Sequence, residues 1–348
     1  MQVRNNNPFS ITFGLEPANY IERINEKDKI ISEFSAEIPS NYVYIITGLR
    51  GSGKTVLLSS IANHFQNEKD WIVVDPGPKD NILENVASEI YETAKTKRVF
   101  TKSEFSVSFS GVTFSLEGEE KITTVNTLLK KMLDVIKKQG KRVLITIDEV
   151  DNSEQMKLFI QAYQSLIRLK YPVMLLMTGL YENISKLQEN KTLTFLYRAP
   201  KIYLSSLNFA AISDSYSFYL GIDEKQAKDM AHLTKGYAYA YQLLGYLFFD
   251  MNKHEVDDEL LMEYDRYLAE YVYDKLYSEL SYKEKEILIA FNTDDAVSVS
   301  ELCQRSGHDI KYISVYRDRL IKKGIIYYPS YGYLQYTLPR LWKYLSYK

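Results

Sequence analysis

The sequence predicts an α/β fold in which a parallel sheet is covered by helices on both faces. An all-helical segment and a small C-terminal domain of three helices and a hairpin follow it. Three observations carry this expectation. Short, mostly apolar runs (residues 43–47, 71–74, 143–147, 173–177 and 202–204) alternate with stretches of helical periodicity, the pattern of strands buried on both faces. From Asn208 to about Tyr277 only helical periodicity remains. Beyond Ser281, two Ser-x-x-Glu helix starts precede an aromatic hairpin pattern.

Residues 43–47 form a strand that enters a glycine-rich turn, and 54–65 form a helix with Val56, Leu57, Ile61 and Phe65 on one face. Trp71–Val74 is a second strand, stopped by Asp75-Pro76-Gly77-Pro78, and Asp80 is placed to cap a helix running to about Thr96. Alternation in Phe105-Ser106-Val107-Ser108-Phe109 and in Val112-Thr113-Phe114-Ser115-Leu116, around Gly111, predicts an inserted hairpin at about 104–117. A long helix then ends at Gly140, placed as the residue just beyond its C-cap. In the C-terminal part, Ser281-Tyr282-Lys283-Glu284 and Ser298-Val299-Ser300-Glu301 start two helices, and Asp309 caps a third that ends at Gly324. Residues 325–328 and 333–338, joined by Pro329-Ser330-Tyr331-Gly332, complete a winged helix-turn-helix pattern. The expected domains are 1–205 (with a lead-in over 1–40), a helical lid at 206–277, and 278–348.

A chain of 348 residues fits two or three domains, and 45% hydrophobic with 25% charged residues suits ordinary globular cores. Many of the 30 tyrosines are expected to serve as amphipathic surface packing, and their number points to no function. Cys303 is the one cysteine, so an internal disulfide framework is excluded; it is expected to replace a small core residue. No apolar segment follows the N-terminus as in a signal peptide, and residues 173–177 and 237–249 are too short or interrupted to span a bilayer. A cytoplasmic protein without a membrane partner is the expectation. The net charge of −2 is unevenly spread: residues 281–348 hold 11 Lys+Arg against 7 Asp+Glu, which permits nucleic-acid contact there.

Gly48-Leu49-Arg50-Gly51-Ser52-Gly53-Lys54-Thr55 fits the P-loop pattern, between a strand and a helix as that pattern requires. Glycines let successive N–H groups turn toward phosphates, and the helix N-terminus adds a favourable dipole. Lys54 would reach the β- and γ-phosphates of ATP, and the Thr55 hydroxyl would serve Mg²⁺. Val56 closes the set of ATP/ADP-binding candidates that begins at Gly48. Residues 142–147 form a buried strand that delivers Asp148 to the metal edge, and Glu149 beside it can orient the attacking water. Asp151 is either a further metal partner or a cap for the next helix, the cap being favoured. Thr178 ends a strand expected between those of the P-loop and the acidic pair, where it can touch the γ-phosphate or tie to local backbone.

These residues resemble the AAA+ superfamily, in particular the branch of origin-recognition initiators and of archaeal-type and STAND-like ATPases. Residues 13–23 are similar to that branch's N-terminal segment, which passes the adenine, and 48–55 and Asp148-Glu149 look like its Walker A and Walker B elements. By resemblance Thr178 stands at sensor 1, Leu196-Tyr197-Arg198 is the segment able to carry an arginine finger, and Thr234-Lys235-Gly236-Tyr237 is the lid motif. The resemblance implies an ATPase with a lid, a C-terminal winged helix and self-association in the ATP state. The chain departs from it in the lid, where Gly236-Tyr237-Ala238-Tyr239 offers neither a sensor 2 arginine nor the proline of STAND-like relatives.

In residues 309–323, Ile310, Ile313, Tyr316 and Leu320 recur at helical spacing and are expected in the core. The opposite face carries Lys311, Ser314, Arg319 and Lys322, with Arg317 and Lys323 as further candidates for phosphates of double-stranded DNA. The resulting reading is a slow ATPase whose nucleotide state controls a DNA-binding domain. The alternative is a non-hydrolysing regulator whose winged helix binds a protein. A small-molecule kinase is disfavoured, because it needs neither a winged helix nor a Glu after the metal Asp.

Overall fold

The computed structural model describes residues 6–12, 17, 19–78, 81–96, 99, 106–108, 113–115 and 124–348. The chain forms two compact units, one of Ile24–Thr47 with Lys54–Tyr203, the other of Met1–Arg23, Gly48–Gly53 and Leu204–Lys348. None of the described helices is long and apolar enough to cross a membrane.

The α/β unit runs α1 (Ile24–Ser35), β1 (Val43–Thr47), α2 (Lys54–Gln66), β2 (Trp71–Val74) and α3 (Ile82–Thr96). The antiparallel pair β3 (Ser106–Ser108) and β4 (Thr113–Ser115) follows, then α4 (Val125–Lys138), β5 (Arg142–Ile147), α5 (Glu154–Arg168) and β6 (Val173–Gly179). It ends with α6 (Tyr181–Gln188), a kinked 3-10 segment Lys191–Arg198, and β7 (Lys201–Tyr203). Asp80 and residues 105, 109, 111, 112 and 116 of the expected cap and hairpin lie outside the described residues.

Five parallel strands in the order β2-β5-β6-β1-β7 make the sheet. Alternate side chains serve its two faces. Ile45, Val74, Val143, Ile145, Leu175 and Met177 join the core with Leu128 and Met132 of α4 and Phe159 and Ile160 of α5. On the other face Phe34 of α1 meets Tyr44 at 5.6 Å and Phe65 of α2 at 6.3 Å, and Phe65 packs at a tilt against Trp71 at 4.1 Å. The register sets Thr178 opposite Ile46 and Met177 opposite Ile147, so the carboxyl ends of β5, β6 and β1 lie side by side. Open α/β sheets bind ligands at that edge. Gly140 (φ +70°) lies just past α4 as expected. Asp151 does not cap α5: Ser153 does, accepting from Met156 N–H, while Asp151 accepts the N–H of Ser153 at 3.0 Å.

The helical unit contains α7 (Phe209–Leu220), α8 (Glu224–Leu233), α9 (Ala238–Asp250), α10 (Asp258–Leu268), a π-helical turn Ala269–Tyr273, and α11 (Asp274–Glu279). It continues through α12 (Tyr282–Phe291), β8 (Val297–Ser298), α13 (Val299–Ser306), α14 (Ile310–Lys323), β9 (Ile326–Tyr327), β10 (Tyr333–Tyr336) and α15 (Leu341–Leu345). Both capping boxes form, and Asp309 caps α14. The hairpin gains a third strand, in the order β8-β10-β9. One apolar core runs from Leu207 to Leu345, and Arg340 clasps Asp265 of α10 with two hydrogen bonds.

Many tyrosines lie at the surface as expected, among them Tyr197, Tyr282, Tyr331 and Tyr347, but others are core residues. Tyr163, Tyr216, Tyr241, Tyr264, Tyr273 and Tyr336 are among the largest fully buried side chains. Most of their hydroxyls staple backbone carbonyls: Tyr216 donates to Tyr241 O at 2.7 Å, Tyr336 to Leu288 O and Tyr273 to Pro339 O, whereas Tyr241 pairs with the Ser215 hydroxyl at 2.6 Å. A buried phenol is tolerated when its hydroxyl finds such a partner.

Residues 6–12 lie along this unit. Asn7 donates to Tyr246 O at 3.0 Å, Ser10 N–H to Gln242 at 2.9 Å, and Phe9 is buried against Tyr216 and Tyr241, each at 5.7 Å. Phe9 occupies the space above Gly245 in α9, where an added Cβ would come within 2.6 Å of its ring. Glycine inside a helix costs about 1 kcal/mol relative to alanine, so its presence here reflects that close approach. Gly245→Ala is expected to destabilise by roughly 1–3 kcal/mol through overpacking, despite the gain in helix propensity. A lowered melting temperature that Phe9→Leu partly restores would confirm the contact. A melting temperature raised by the alanine would refute it.

Candidate functional site

The glycine-rich loop depends on backbone conformations that side chains disfavour. Gly51 and Gly53 have φ of +70° and +91°, and a β-carbon makes such angles costly. Arg23 holds the loop by donating to Ser52 O at 3.2 Å and to Ser205 O at 2.7 Å. Tyr237 Oη donates to Arg50 O, and Tyr239 N–H to Gly51 O at 3.0 Å. Ser52 Oγ is buried without a hydrogen-bond partner. A buried hydroxyl left unsatisfied is costly, and a phosphate oxygen is a fitting acceptor for it. Leu49 and Gly48 are half-buried and Arg50 is exposed.

The chain then enters α2, anchored by buried Leu57, Ile61 and Phe65, with Val56 half-buried. Lys54 stands in the first turn and is only 8% exposed.

One turn of polar contacts links α2, β5 and β6. Thr55 Oγ1 donates to Asp148 Oδ2 at 2.7 Å, and Thr178 Oγ1 donates to Asp148 Oδ1. The same Thr178 hydroxyl accepts Glu149 N–H at 2.9 Å, and Thr178 O accepts Val150 N–H at 2.8 Å. Thr178 thus orients both members of the acidic pair. Glu149 is left-handed, with φ +54°. That conformation costs a non-glycine residue about 1–2 kcal/mol and persists only where neighbours enforce it. The donor set of Thr55 and Asp148, a hydroxyl and a carboxylate, is the hard-oxygen chemistry that suits Mg²⁺.

Asp75, legible in the sequence only as a strand stop, belongs to this edge. Burial raises its carboxyl above the ordinary range, against a hydrogen bond from Thr146, and the charge of Asp148 raises it further. No local pattern marks it, because its neighbour Asp148 arrives from another strand.

Arg198 is exposed at the end of the 3-10 segment before β7. Residues 13–16 and 18 of the expected adenine segment lie outside the described residues. On α14, Lys311, Arg319 and Lys322 are exposed and Ser314 is half-buried. Lys323 is not offered to a partner: its Nζ lies 2.8 Å from Glu284, whose side chain is 4% exposed. Burial opposes the charge of Glu284, but Lys323 and Ser281 outweigh it and pull the carboxyl below its ordinary range. Arg317 is also engaged, at 2.9 Å from Asp318 and over the Tyr328 ring at 5.8 Å. Ile310, expected in the core, is 61% exposed because it opens α14 beyond the reach of Ile313 and Leu320, which are buried.

Residues 28–196 match the ATPase domain family predominantly from Archaea, and residues 270–345 match a domain of unknown function. No curated protein matches in sequence. The Walker-type ATPase of Pyrococcus abyssi is similar in structure, with a TM-score of 0.65 at 13% identity, over 94% of this chain and 96% of that one. The ORC2 protein of Aeropyrum pernix in its ADPNP–ADP complexes gives a TM-score of 0.58 at 14% identity, over 97% of this chain and 96% of that one. Residues 28–196 are thus similar to the archaeal-type ATPase domain, and the chain shares its fold with the Walker-type ATPase of Pyrococcus abyssi and the ORC2 protein of Aeropyrum pernix.

Proposed function

We propose that this protein binds ATP with Mg²⁺, hydrolyses it slowly, and uses its nucleotide state to control a C-terminal winged helix that binds double-stranded DNA. The observation that carries the reading is the hydrogen-bonded set Thr55–Asp148–Thr178–Glu149, in which a strained glutamate is fixed beside a carboxylate already aligned with the P-loop threonine. Gly48 to Val56 would hold the nucleotide, with Lys54 at the β- and γ-phosphates. Thr55 and Asp148 would hold Mg²⁺, which neutralises phosphate charge when bound. Glu149 accepts the proton of the attacking water, and the Thr178 hydroxyl holds the backbone of Glu149 in place. Nucleotide complexes of the Aeropyrum pernix protein, at low identity, are in keeping with this site. Arg198, being exposed, is available to act on the nucleotide of a neighbouring protomer in an ATP-bound assembly.

For DNA, the exposed cations of α14 are Lys311, Arg319, which also lies over the Tyr316 ring at 5.3 Å, and Lys322, with Ser314 beside them. Three phosphate contacts give weak, steeply salt-dependent binding, each worth a slope of roughly 0.9 in log K against log salt. Full-length protein titrated onto a fluorescent duplex should show affinities differing by about 5- to 150-fold between its ADP and non-hydrolysable ATP-analogue states. ADP release from ATP and Mg²⁺, measured in parallel, tests the enzymatic half. The second reading, a regulator whose C-terminal domain binds a protein, is favoured by Ile310, Val315 and Tyr282, which are 61%, 51% and 79% exposed. Absence of duplex binding at low salt in every nucleotide state would make it the better one.

A further inference from the structure

The turn Thr234-Lys235-Gly236-Tyr237 joins α8 to α9 and lacks an arginine for the γ-phosphate. Lys235 and Gly236 are both left-handed, with φ of +50° and +70°. A lysine keeps that conformation only where its surroundings impose it. Here they do. Thr234 Oγ1 accepts Gly236 N–H at 3.1 Å and donates to Ala231 O at 2.7 Å, and Leu207 N–H donates to Gly236 O at 2.8 Å. A β-carbon at Gly236 would sit 2.8 Å from Leu207 O.

The turn sends its flanking side chains to different places. Lys235 Nζ lies 2.6 Å from Asp294 Oδ1 and 3.2 Å from Tyr336 O, both in the C-terminal domain. Tyr237 Oη donates to Arg50 O in the glycine-rich loop, and Tyr239 N–H donates to Gly51 O at 3.0 Å. A β-carbon on Gly51 would overlap the Tyr237 hydroxyl. Burial, ahead of the neighbouring Tyr239, raises the Tyr237 phenol well above its ordinary range, so it stays a donor. Both loop contacts use the carbonyl oxygens of Arg50 and Gly51 and engage neither residue's N–H, the group that a phosphate would take. Leu49 adds an apolar contact: a β-carbon on Gly324, at the end of α14, would lie 3.5 Å from Leu49 Cγ.

Resting on the nucleotide-binding reading above, we infer that Tyr237 is a positioning residue that holds the glycine-rich loop in its binding shape. Lys235 and Asp294 tie that shape to the C-terminal domain, giving the chain a route from nucleotide to domain that needs no sensor 2 arginine. A loop that holds its binding shape only part of the time binds proportionately more weakly. Loss of the brace should therefore appear both as weaker binding and as a broken relay.

Full-length Tyr237→Phe keeps the ring in the core and deletes only the hydroxyl. Its ATP affinity by calorimetry with Mg²⁺ should fall by about 3- to 10-fold, the worth of one hydrogen bond. Hydrogen exchange at amides 326–336, with and without saturating ATP, reads the tie. Wild-type protein should show an ATP-dependent change there, and Tyr237→Phe and Lys235→Met should each reduce it at least threefold (about 3, from one lost contact). A merely structural role would shift exchange equally in both states. Wild-type affinity in Tyr237→Phe, or an undiminished response in either variant, overturns the inference. Failure of the wild-type protein to bind ATP would instead remove the nucleotide reading, and the inference with it.

Discussion

Lys54→Ala is expected to lose roughly 30- to 150-fold in ATP affinity, the equivalent of about 2–3 kcal/mol for a charge-assisted contact. The argument begins with burial. Lys54 is 8% exposed at the head of α2, where a second positive influence, the helix dipole, already stands. The P-loop pattern assigns the lysine at this position to phosphate oxygens, and the Ser52 hydroxyl two residues earlier in the chain is buried without a hydrogen-bond partner. The substitution removes a charge from a poorly solvated place and leaves a strong helix former, so the fold should survive, with the melting temperature of the apo protein close to wild type. Calorimetry of ATP binding to both proteins checks it. Equal dissociation constants would show that the loop holds no phosphate.

Glu149→Gln is expected to keep ATP and Mg²⁺ bound while turnover falls by about 10²- to 10⁴-fold, the range for loss of a positioned general base. Gln and Glu share a shape, and the backbone contact to Thr178 uses the N–H, which the substitution leaves in place. Only the proton-accepting oxygen is lost. Glu149→Gly supplies an independent reading of the same residue. Relief of the left-handed strain should stabilise the protein by about 1 kcal/mol while hydrolysis disappears. A protein that loses stability with Glu149→Gly, or hydrolyses ATP normally with Glu149→Gln, would displace Glu149 from the reaction. The expected trade of stability for activity is typical of strained functional positions.

Local chemistry made much of the architecture legible. β1 and β2 end before Gly48 and Asp75-Pro76, where a glycine weakens the strand and a proline removes a ladder donor. Both capping boxes formed because a Ser and a Glu three residues on satisfy each other's backbone donors whatever surrounds them. The P-loop was recognisable for the same reason: its function lies in the backbone angles that Gly51 and Gly53 allow. The third strand β8 was not foreseen. It has two residues, and a strand that short exists only because β10 is there to pair with it.

By itself, the sequence determined most of the elements and their order, the glycine-rich loop and the presence of an acidic pair after a buried strand, since each is set by residues within a few positions of one another. Only the tertiary structure decided which charged groups remain free and which side chains meet. Periodicity placed Lys323 on an exposed helix face, but Glu284, 39 residues earlier in the chain, neutralises it. Tyrosine, half apolar and half polar, carries no rule for surface or core, and what buried Tyr216, Tyr273 and Tyr336 was a carbonyl within reach on another element. Thr178 and Asp75 joined Asp148 because parallel strands distant in sequence end at one edge of the sheet. The physical reason is common to all of these. Backbone conformation and capping are short-range energies, whereas desolvation and charge pairing depend on which neighbours the fold brings into contact.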